Sequence, residues 1–576
     1  MEFTIFKNAN RYKFLYNLIL SVILTFIITN FSFAATHTSR DFIIKKGNVS
    51  PTILYVKPVG SGAQDGSSWE NASPDIQAMI NAASIDTQIW ITKGIYKPIR
   101  PANNLGVIEL NNRDNAFVMK DNVSLYGGFT GNETTIAQRD VVANPTLLSG
   151  DFNEDDIITG NGKTLTISNS TENANHIIIN RGFSTIDGLT IRGGSATGGF
   201  SVQIGTSSIN RDFGGGIYNI NGILTLNNVT VIGNSATYRG AGIYTTNGSL
   251  NINNCLIKNN LNTMLYGGGI YQQTGNITMA NCSIIGNKAH NDSGGGIYFY
   301  TGTVNIKNSN ISYNYVNLTG GGIHNYLGAL YITNSLISNN SSNSAGGGII
   351  SQAFVDTISK ITNCTISNNT SSFGAGVTGK SNFINSIVWS NHSDYEESNG
   401  TDFQPTVMYH SLIEGRSTSG DGGGNIDGFN SSLLVFNDST NSDYSLATGS
   451  PLIDKGNNSL YIAAGGNITD DRDLAGNVRL IRTNIDIGAY ESTETMNVLD
   501  VSEKNIYIYP NPFTDTLKIS DIKDIKQITL IDMSGNFIKQ LSPSKEINLS
   551  YLKNGLYIIT ISSYDGSIKN FKIIKK

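Results

Sequence analysis

The chain has 576 residues, of which only 14% are charged, with 39 Lys and Arg against 44 Asp and Glu. A nucleic-acid-binding protein needs a basic face to neutralise phosphates, so this balance argues against nucleic acid as a partner. The 62 Gly and 71 Asn predict frequent turns, because both residues tolerate left-handed backbone, while 39% hydrophobic residues still allow a folded core. Three Cys are too few for a disulfide scaffold.

Residues 1–35 are typical of a secretory signal peptide. A basic start ending at Lys13 is followed by an apolar run over residues 18–33 and then by the small residues Ala34 and Ala35. We therefore expect export through the inner membrane, with cleavage near the end of this segment. An uncleaved membrane anchor is the alternative, because the apolar run is nearly long enough to span a bilayer.

Residues 36–160 are interpreted as an N-terminal cap with irregular first coils. Ser73 and Pro74 are typical of a helix start, and apolar residues follow at helical spacing over residues 76–83. A short helix at this point could cover the open end of a stack of strands, which would otherwise expose strand edges.

An acidic loop ends this region. Asp151, Asn153 and Asp155 place oxygen ligands at alternating positions, as in a calcium loop. The loop lacks the central glycine and the distal glutamate of that motif, since Asp156 and Gly162 stand there, so a solvated acidic turn is the competing interpretation. The sequence otherwise predicts no cofactor, and calcium is the open alternative.

Residues 161–400 repeat. A glycine cluster followed by an aliphatic residue recurs seven times, at steps of 26 to 28 residues. A second marker, two Asn separated by five residues, runs in phase at Asn228/Asn234, Asn254/Asn260, Asn281/Asn287, Asn308/Asn314, Asn334/Asn340, Asn363/Asn369 and Asn385/Asn391. Apolar residues alternate between the markers, which is strand periodicity. We therefore predict an all-β fold, a right-handed parallel β-helix with three strands per coil.

Three columns of this repeat carry predictions. A corner Asn can adopt the left-handed bend and bond the Asn of the next coil through its amide. The three Cys share one column with Ser and Val, which predicts small core positions and buried free thiols. An aromatic column consists of Tyr218, Tyr244, Tyr271, Tyr298 and His324. If the preceding Ile points inward, these rings point outward and form a row on which sugars can stack, whereas a self-stacking ladder that only stabilises the coils is the alternative.

The central coils are poor in acidic residues. Between Gly214 and Asn391 the sequence has only Asp292 and Asp356, more than two repeats apart. A glycoside hydrolase needs paired carboxylates, and a calcium-dependent lyase needs several clustered ones. These coils therefore lack the residues for either mechanism.

Residues 401–495 are expected to close the stack. They contain an acidic stretch at residues 470–473, followed by Asp486 and Glu491. A closing turn held by pairs between Arg and carboxylates is the favoured interpretation of these residues. Catalysis by these end-coil carboxylates is the alternative.

From residue 496 the repeat signal is gone. Alternating apolar runs separated by Asn-Gly and Asp-Gly turns predict a small β-sandwich over residues 496–576. Its motif residues are Pro510, Asn511 and Pro512, then Gly535, then Asn554 and Gly555, and finally Lys575 and Lys576. In order and spacing this segment resembles the C-terminal sorting domain of the bacterial type IX secretion system. The resemblance implies recognition by that machinery, export across the outer membrane, and either attachment to the cell surface or release.

The body of the chain is similar to secreted right-handed parallel β-helix proteins of the pectin-lyase-like superfamily. The matching motifs are Gly66-Ser67-Ser68-Trp69, Tyr126-Gly127-Gly128-Phe129 and Leu148-Ser149-Gly150-Asp151 at the front, and Asp486-Ile487-Gly488-Ala489-Tyr490-Glu491 at the back. The back motif resembles the segment called choice-of-anchor Q. Because the superfamily contains lyases, hydrolases and non-enzymes, the resemblance implies architecture and not a reaction.

These observations favour a monomeric, secreted or surface-displayed β-helix protein that binds glycans or other surfaces without catalysis. Its expected partners are the type IX secretion machinery and a polysaccharide or cell-surface ligand. Two alternatives stay open. One is a polysaccharide lyase or glycoside hydrolase that uses the end-coil carboxylates, and the other is a purely structural surface protein.

Overall fold

The computed structural model describes residues 51–352, 358–394, 407–418, 422–493, 506–532, 537–564 and 568–576. The predicted signal peptide over residues 1–35 and Gly535 of the predicted sorting signal lie outside the described residues. Within these ranges, no helix is both long and apolar enough to cross a membrane.

Most of the chain is a parallel β-helix of four stacked sheets, numbered here in the order in which a coil visits them. The described strands of sheet 1 are Ile53–Val56, Gln88–Thr92, Val123–Phe129, Phe183–Asp187, Ile223–Asn227, Ser249–Asn253, Asn276–Ala280, Thr303–Lys307, Ala329–Thr333, Ser359–Thr362, Ser381–Ile384 and Val407–Tyr409. Those of sheet 2 are Gly94–Tyr96, Thr146–Ser149, Thr190–Arg192, Thr230–Ile232, Leu256–Lys258, Ser283–Ile285, Asn310–Ser312, Leu336–Ser338, Thr365–Ser367, Ile387–Trp389 and Leu412–Ile413.

Sheets 3 and 4 complete each coil. The described strands of sheet 3 are Ser195–Ala196, Ser235–Ala236, Leu261–Asn262, Lys288–Ala289, Tyr315–Val316, Ser341–Ser342, Thr370–Ser371 and His392–Ser393. Those of sheet 4 are Phe117–Val118, Ile178–Asn180, Ile217–Ile220, Ile243–Thr246, Ile270–Gln272, Ile297–Phe299, Ile323–Asn325, Ile349–Ser351 and Val377–Thr378. The predicted parallel β-helix is confirmed, and the two-residue strands of sheet 3 add a fourth strand to the three expected per coil.

The pairing register between neighbouring coils follows the sequence repeat. Ile243 pairs with Ile217 before it and Ile270 after it, so equivalent residues stack one coil apart. The inward residues of sheets 1, 2 and 4 form columns such as Leu250, Ile257 and Ile270, which are fully buried in one continuous core. Burial of such aliphatic columns is the main stabilising contribution.

The predicted helix lies at the first-coil end of the stack. Helix α1 spans Ile76–Ala82 and begins after Asp75, whose side chain accepts a hydrogen bond from the Ala78 N–H at 2.9 Å. Asp75 is therefore the N-cap, two residues beyond the Ser73 expected from the sequence. Met79 and Ile80 join the main core, so the helix supplies apolar cover where the strands begin.

The second asparagine of each marker pair forms a ladder inside the coils. From Asn234 to Asn391, each Nδ2 atom donates to the Oδ1 atom of the next coil's Asn at 2.9–3.0 Å. Every side chain of this column is buried. The predicted bond between stacked asparagines is confirmed for this column.

The first asparagine of each pair makes a corner instead. The φ angles of Asn228, Asn254, Asn281, Asn308, Asn334, Asn363 and Asn385 lie between 48° and 54°. This is the left-handed region, which Asn tolerates better than most residues. The amides of this column bond irregularly, since Asn254 donates to Asn228 at 2.6 Å but Asn281 donates to Asn253 at 3.1 Å. The predicted bend is confirmed here, whereas the regular ladder belongs to the second column.

The cysteine column lies just inside this corner. Cys255, Cys282 and Cys364 are buried free thiols, as expected. Sulfur and hydroxyl groups of the column accept from backbone N–H groups one coil earlier, for example Ser309 Oγ from Cys282 at 3.2 Å. Small side chains with an acceptor therefore fit this column, which explains why Cys and Ser alternate there.

Three antiparallel hairpins leave the stack within the described part of the chain. They are Ile157–Thr159 with Thr166–Ser168, Ser201–Ile204 with Ser207–Asn210, and Phe436–Asp438 with Asp443–Leu446. The third belongs to the closing segment, 422–493, which also contains helix α2 (Asn458–Ala463). Ile426 still pairs in parallel with Leu412, one coil earlier, and the rest of the segment leaves the coils. Its apolar side chains, such as Tyr444 and Leu452, pack instead on outward residues of sheet 2 such as Leu336 and Trp389.

The C-terminal domain is a two-sheet sandwich. A three-stranded antiparallel sheet contains Ile508–Tyr509, Thr516–Ile519 and Glu546–Asn548. A four-stranded antiparallel sheet contains Phe537–Leu541, Ile525–Asp532, Gly555–Ser563 and Ile568–Lys575, in that spatial order. Apolar residues of both sheets, among them Leu517 and Ile559, form one core, which confirms the predicted sandwich.

Candidate functional site

The aromatic column predicted to bind sugars is stacked but buried. Successive ring centroids lie 4.8–5.5 Å apart from Tyr218 to His324, and the Tyr271 and Tyr298 rings are parallel to within 1°. The exposed fraction of Tyr218, Tyr244, Tyr271, Tyr298 and His324 is only 1–4%. The rings do point away from the main core, as the strand alternation requires. The expectation of an exposed row is wrong.

Residues from outside the strand repeat cover these rings. The hairpin Ser201–Ile204/Ser207–Asn210 contributes Val202 and Ile209 to the same apolar cluster, and an earlier loop contributes Ala102. Phe213 packs against Tyr244, with ring centroids 5.1 Å apart. The column is therefore a second apolar core on the outer face of sheet 4, and a polymer could not reach its ring faces.

His324 ends the stack as a neutral imidazole. Burial lowers its pKa to about 4, and its Nδ1 atom lies 3.0 Å from Thr319 Oγ1. The ring stacks on Tyr298 with centroids 4.8 Å apart. His324 therefore contributes packing and one hydrogen bond in place of the predicted contact with a ligand.

An open groove lies on the opposite part of the coils, at the first asparagine corner and the outer face of sheet 2. One depression of about 380 Å³ is bounded by the loop at Val142 and Pro145. A second of about 480 Å³ is bounded by the closing segment at Arg472 and Tyr490. Both are lined by Asn281 and Ser283, so they meet at that coil. We call their combined lining the corner groove.

The floor of the corner groove is built by strand alternation. The inward side chains of sheet 2 are buried, so the residues beside them, Thr230, Leu256, Ser283 and Asn310, face outward and stand in register. Beside this row runs the corner column, in which Asn254 and Asn281 are exposed. Stacked coils are about 4.8 Å apart, so the corner amides repeat at that spacing along the groove, whereas Leu256 interrupts the polar groups of the sheet 2 row.

The same corner is occupied in later coils by the chain itself. Asn334 Nδ2 donates to the Tyr461 hydroxyl at 2.6 Å, Asn363 Nδ2 to the Asp486 carbonyl at 3.1 Å, and Asn385 Nδ2 to a carbonyl at 3.1 Å. The closing segment therefore covers the corner from Asn334 onward, and the corner groove is the part that it leaves open. Where the closing segment places a hydroxyl or carbonyl oxygen at this corner, the Asn side-chain amide donates a hydrogen bond to it.

Carboxylates at the closing end are held in structural hydrogen bonds. Asp473 lines the groove, but its oxygens accept from the backbone N–H groups of Ala475, Asn477 and Glu491 and from the Asn477 amide. Asp471 pairs with Lys307 at 2.6 Å. The hydrogen bonds of Asp473 and the ion pair of Asp471 hold the closing segment in place.

A buried ion pair anchors the same segment. Arg479 is fully buried and lies 3.0 Å from Glu491. The Asp486 N–H group donates to both oxygens of Glu491 at 3.1 Å. One pair of the kind predicted for the closing turn, Arg479 with Glu491, is therefore present, although Arg479 lies outside the acidic stretch at residues 470–473.

Two of the three predicted metal ligands come together. Asp151 and Asp155 have carboxylate oxygens within 4.8 Å of each other and of Glu172, which lies 17 residues further along the chain than Asp155. Asn153 is exposed, and its assignment as a ligand stays a prediction. Asp151 folds the loop around its own carboxylate by accepting from the Glu154, Asp155 and Asp156 N–H groups.

The predicted sorting residues within the described ranges gather around the final strand. Asn511 accepts from the Ile574 N–H at 2.9 Å and donates to the Lys572 carbonyl at 2.8 Å. Gly555 pairs with Lys575, whose ammonium lies 2.9 Å from Asp515. The sequence neighbours of these residues are exposed: Pro510 and Pro512 beside Asn511, Asn554 beside Gly555, and Lys576 beside Lys575. The exposed motif residues among those described therefore lie around the final strand, where a partner could contact them.

Comparison with known proteins identifies this domain. Residues 507–576 match the family model described as the secretion system C-terminal sorting domain, which confirms the predicted type IX sorting domain. This domain indicates export to the cell surface or the extracellular space. The search of curated proteins found no match for the chain.

Among solved structures, the chain is similar to "Crystal structure of pectate lyase Pel9A", with 14% sequence identity and a TM-score of 0.44. That match covers 77% of this chain and 97% of the other. It is also similar to "The complex structure of XylC with xylose", with 9% identity and a TM-score of 0.25, over 91% of this chain and 98% of the other.

Sequence reasoning missed the corner groove and Glu172. The outward residues of sheet 2 vary between Thr, Leu, Ser and Asn, so they leave no repeated letter to find. The one available signal was the corner Asn column, which was assigned to structure alone. Glu172 lies beyond a hairpin, and its proximity to Asp151 depends on the hairpin bringing its two ends together.

Proposed function

We propose that this exported β-helix binds a polysaccharide chain along the corner groove without cleaving it. The observation that carries the proposal is the column of corner amides from Asn228 to Asn308, which repeats from coil to coil beside the outward residues of sheet 2. A polymer with regularly spaced hydroxyls matches a surface whose donors and acceptors recur about every 4.8 Å. Each corner amide has two donors and two lone pairs, of which neighbouring coils use only part.

The covered half of the corner supports the choice of ligand. Asn334 bonds the Tyr461 hydroxyl at 2.6 Å, and the open members Asn254 and Asn281 belong to the same column with the same φ. A sugar hydroxyl would offer the exposed corner amides the same kind of oxygen acceptor that the Tyr461 hydroxyl offers Asn334. At the far end, exposed Arg472 adds a positive charge that suits a uronate carboxylate, and the half-buried ring of Tyr490 adds an apolar face that suits a sugar ring.

The electrostatics of the groove support binding over cleavage. Among the described lining residues, Asp473 is the one carboxylate, and its oxygens already accept four hydrogen bonds. Glycoside hydrolysis uses two carboxyl groups about 5–9.5 Å apart. A lyase or hydrolase that uses the end-coil carboxylates is less well supported, because Asp471 and Glu491 are paired with Lys307 and Arg479.

The test is a polysaccharide array probed with the purified full chain. Retention on each polymer and the appearance of new reducing or unsaturated ends would be measured together, with calcium and with a chelator. We expect retention on at least one polymer with no new ends. New ends would replace the proposal with an enzyme, and no retention on any polymer would favour a purely structural surface protein.

A further inference from the structure

A cluster of carboxylates lies at the base of the hairpin Ile157–Thr159/Thr166–Ser168. Oxygens of Asp151, Asp155 and Glu172 all lie within 4.8 Å of one another. Calcium binds oxygens at about 2.3–2.6 Å, so two ligands on opposite sides of one ion are about 5 Å apart. The three carboxylates therefore fit around a single calcium ion, with one pair of ligands on the incoming side of the hairpin and one ligand on the outgoing side.

Buried oxygens without partners surround this cluster. Asn173 is fully buried, and its amide lies against Asp156, with Nδ2 donating to Asp156 Oδ2 at 2.9 Å. Among the described residues, Asn173 Oδ1, Asp156 Oδ1 and Glu172 Oε1 are all buried with no hydrogen-bond partner. Unpaired buried acceptors are unfavourable. A cation at this point would satisfy acceptors that nothing else in the surroundings satisfies.

The local charge is also unbalanced. Four carboxylates meet here, whereas the nearby cations are Arg192, 3.9 Å from Asp151, and Arg113, whose charge interacts with Glu172 and whose Nε atom donates to the Asn173 carbonyl at 2.8 Å. The nearby Lys97 pairs with Glu154 at 2.9 Å, outside the cluster. A divalent cation would offset most of the excess negative charge.

We propose that Asp151, Asp155 and Glu172, supported by Asp156 and Asn173, bind one calcium ion that fastens the hairpin to the coils. The hairpin lies over the second asparagine corner, where the Gly162 N–H donates to the Gly286 carbonyl at 2.9 Å. Lys288 Nζ also donates to the Lys163 and Leu165 carbonyls at 3.1 and 3.3 Å. These contacts hold the tip of the hairpin, so an ion between its two ends would hold its base. The ion is structural, and this inference does not depend on the groove's ligand.

The experiment is calcium titration of the full chain by isothermal calorimetry, after dialysis against a chelator. We expect one calcium per chain, and an affinity at least about tenfold weaker in Glu172→Gln and in Asp155→Asn, because each change removes a charged ligand. Glu154→Gln is the matched control, since it removes an acid from the same loop that pairs with Lys97 and not with the cluster. The control should bind as the wild type does.

Hydrogen exchange of residues 157–168, with and without calcium, gives a second readout on the unmodified chain. We expect slower exchange of these residues with calcium, with the coil cores unchanged. Three outcomes would overturn the proposal: no binding at millimolar calcium, binding that Glu172→Gln leaves unchanged, or a preference for magnesium over calcium.

Discussion

The two asparagine columns of the repeat use the same residue in opposite ways. In the second column the marker Asn is buried and joins the coils, because the residue before it, such as Gly286, takes the left-handed bend. In the first column the marker Asn takes the bend itself, and the open members Asn254 and Asn281 place their amides at the surface. Backbone conformation, and not residue type, decides which column stabilises the coils and which is available to a ligand.

The strongest way to break this comparison is to remove one rung of the ladder. Asn287→Ala deletes four hydrogen bonds, to the Ile257 carbonyl, to Asn314 and twice from Asn260. At about 1 kcal/mol for each bond, and more for partners left unpaired, the free energy of unfolding should fall by about 4 kcal/mol. Urea unfolding measures this loss.

The matched control is Asn281→Gly in the same coil. Glycine tolerates the φ of 54° at this corner, so stability should change by less than about 0.5 kcal/mol. Equal destabilisation by the two changes would mean that the columns do not differ as described.

A slightly smaller effect is expected from the aromatic column. Tyr271→Ala removes a ring stacked between Tyr244 and Tyr298 and should lower the free energy of unfolding by about 3 kcal/mol. Tyr271→Phe keeps the ring and should stay within about 0.5 kcal/mol of the wild type. A binding face would give the reverse pattern: a stable Ala variant that no longer retains polysaccharide.

The third prediction concerns strain at the outer corner. Asn281→Ala places alanine at a φ of 54°. Alanine tolerates this left-handed backbone less well than Asn or Gly, which costs about 1 kcal/mol relative to the relaxed backbone. The Ala variant should therefore be less stable than the Gly variant by about that amount. A melt in which Ala equals or exceeds Gly would show that the corner carries no such strain.

The smallest effect is expected in the cysteine column, which lies just inside the first asparagine corner. Cys282→Ser keeps an acceptor for the Cys255 N–H, as Ser309 does one coil later, and should shift the free energy of unfolding by less than about 1 kcal/mol. Burial raises the pKa of the Cys364 thiol to about 12, so it should not react with a thiol reagent at pH 8 until the chain unfolds. Rapid labelling of the native protein would contradict this packing.

The features of the fold that repeat from coil to coil could be predicted from the sequence, and the features that occur once could not. Stacked coils place equivalent residues about 4.8 Å apart, so the Asn and Gly columns leave a periodic signal from which the β-helix can be derived. The cover over Tyr218 and Tyr244 comes from Ala102 and from the hairpin Ser201–Ile204/Ser207–Asn210, which have no period. Their contacts are long-range, so alternation alone gave the direction of the rings correctly and their exposure wrongly.

The closing segment shows the same limit. A closing turn with pairs between Arg and carboxylates was predicted from residues 470–473, Asp486 and Glu491, but the position of the segment against sheet 2 depends on contacts such as Asn334 with Tyr461, 127 residues apart in the chain. The open length of the corner groove is set by where this segment stops. It could not be read from the repeat itself.

The central claim is that the open corner amides bind polysaccharide. The most direct measurement is a binding titration of the best-retained polymer against the wild type and the double variant Asn254→Gly/Asn281→Gly. The control is Asn221→Gly/Asn247→Gly, which changes two exposed, left-handed Asn at a different corner. The account predicts at least about tenfold weaker binding for the groove variant alone, since two amides are lost at about 1 kcal/mol or more each, with both melting temperatures unchanged. Equal affinity of the two variants would contradict it.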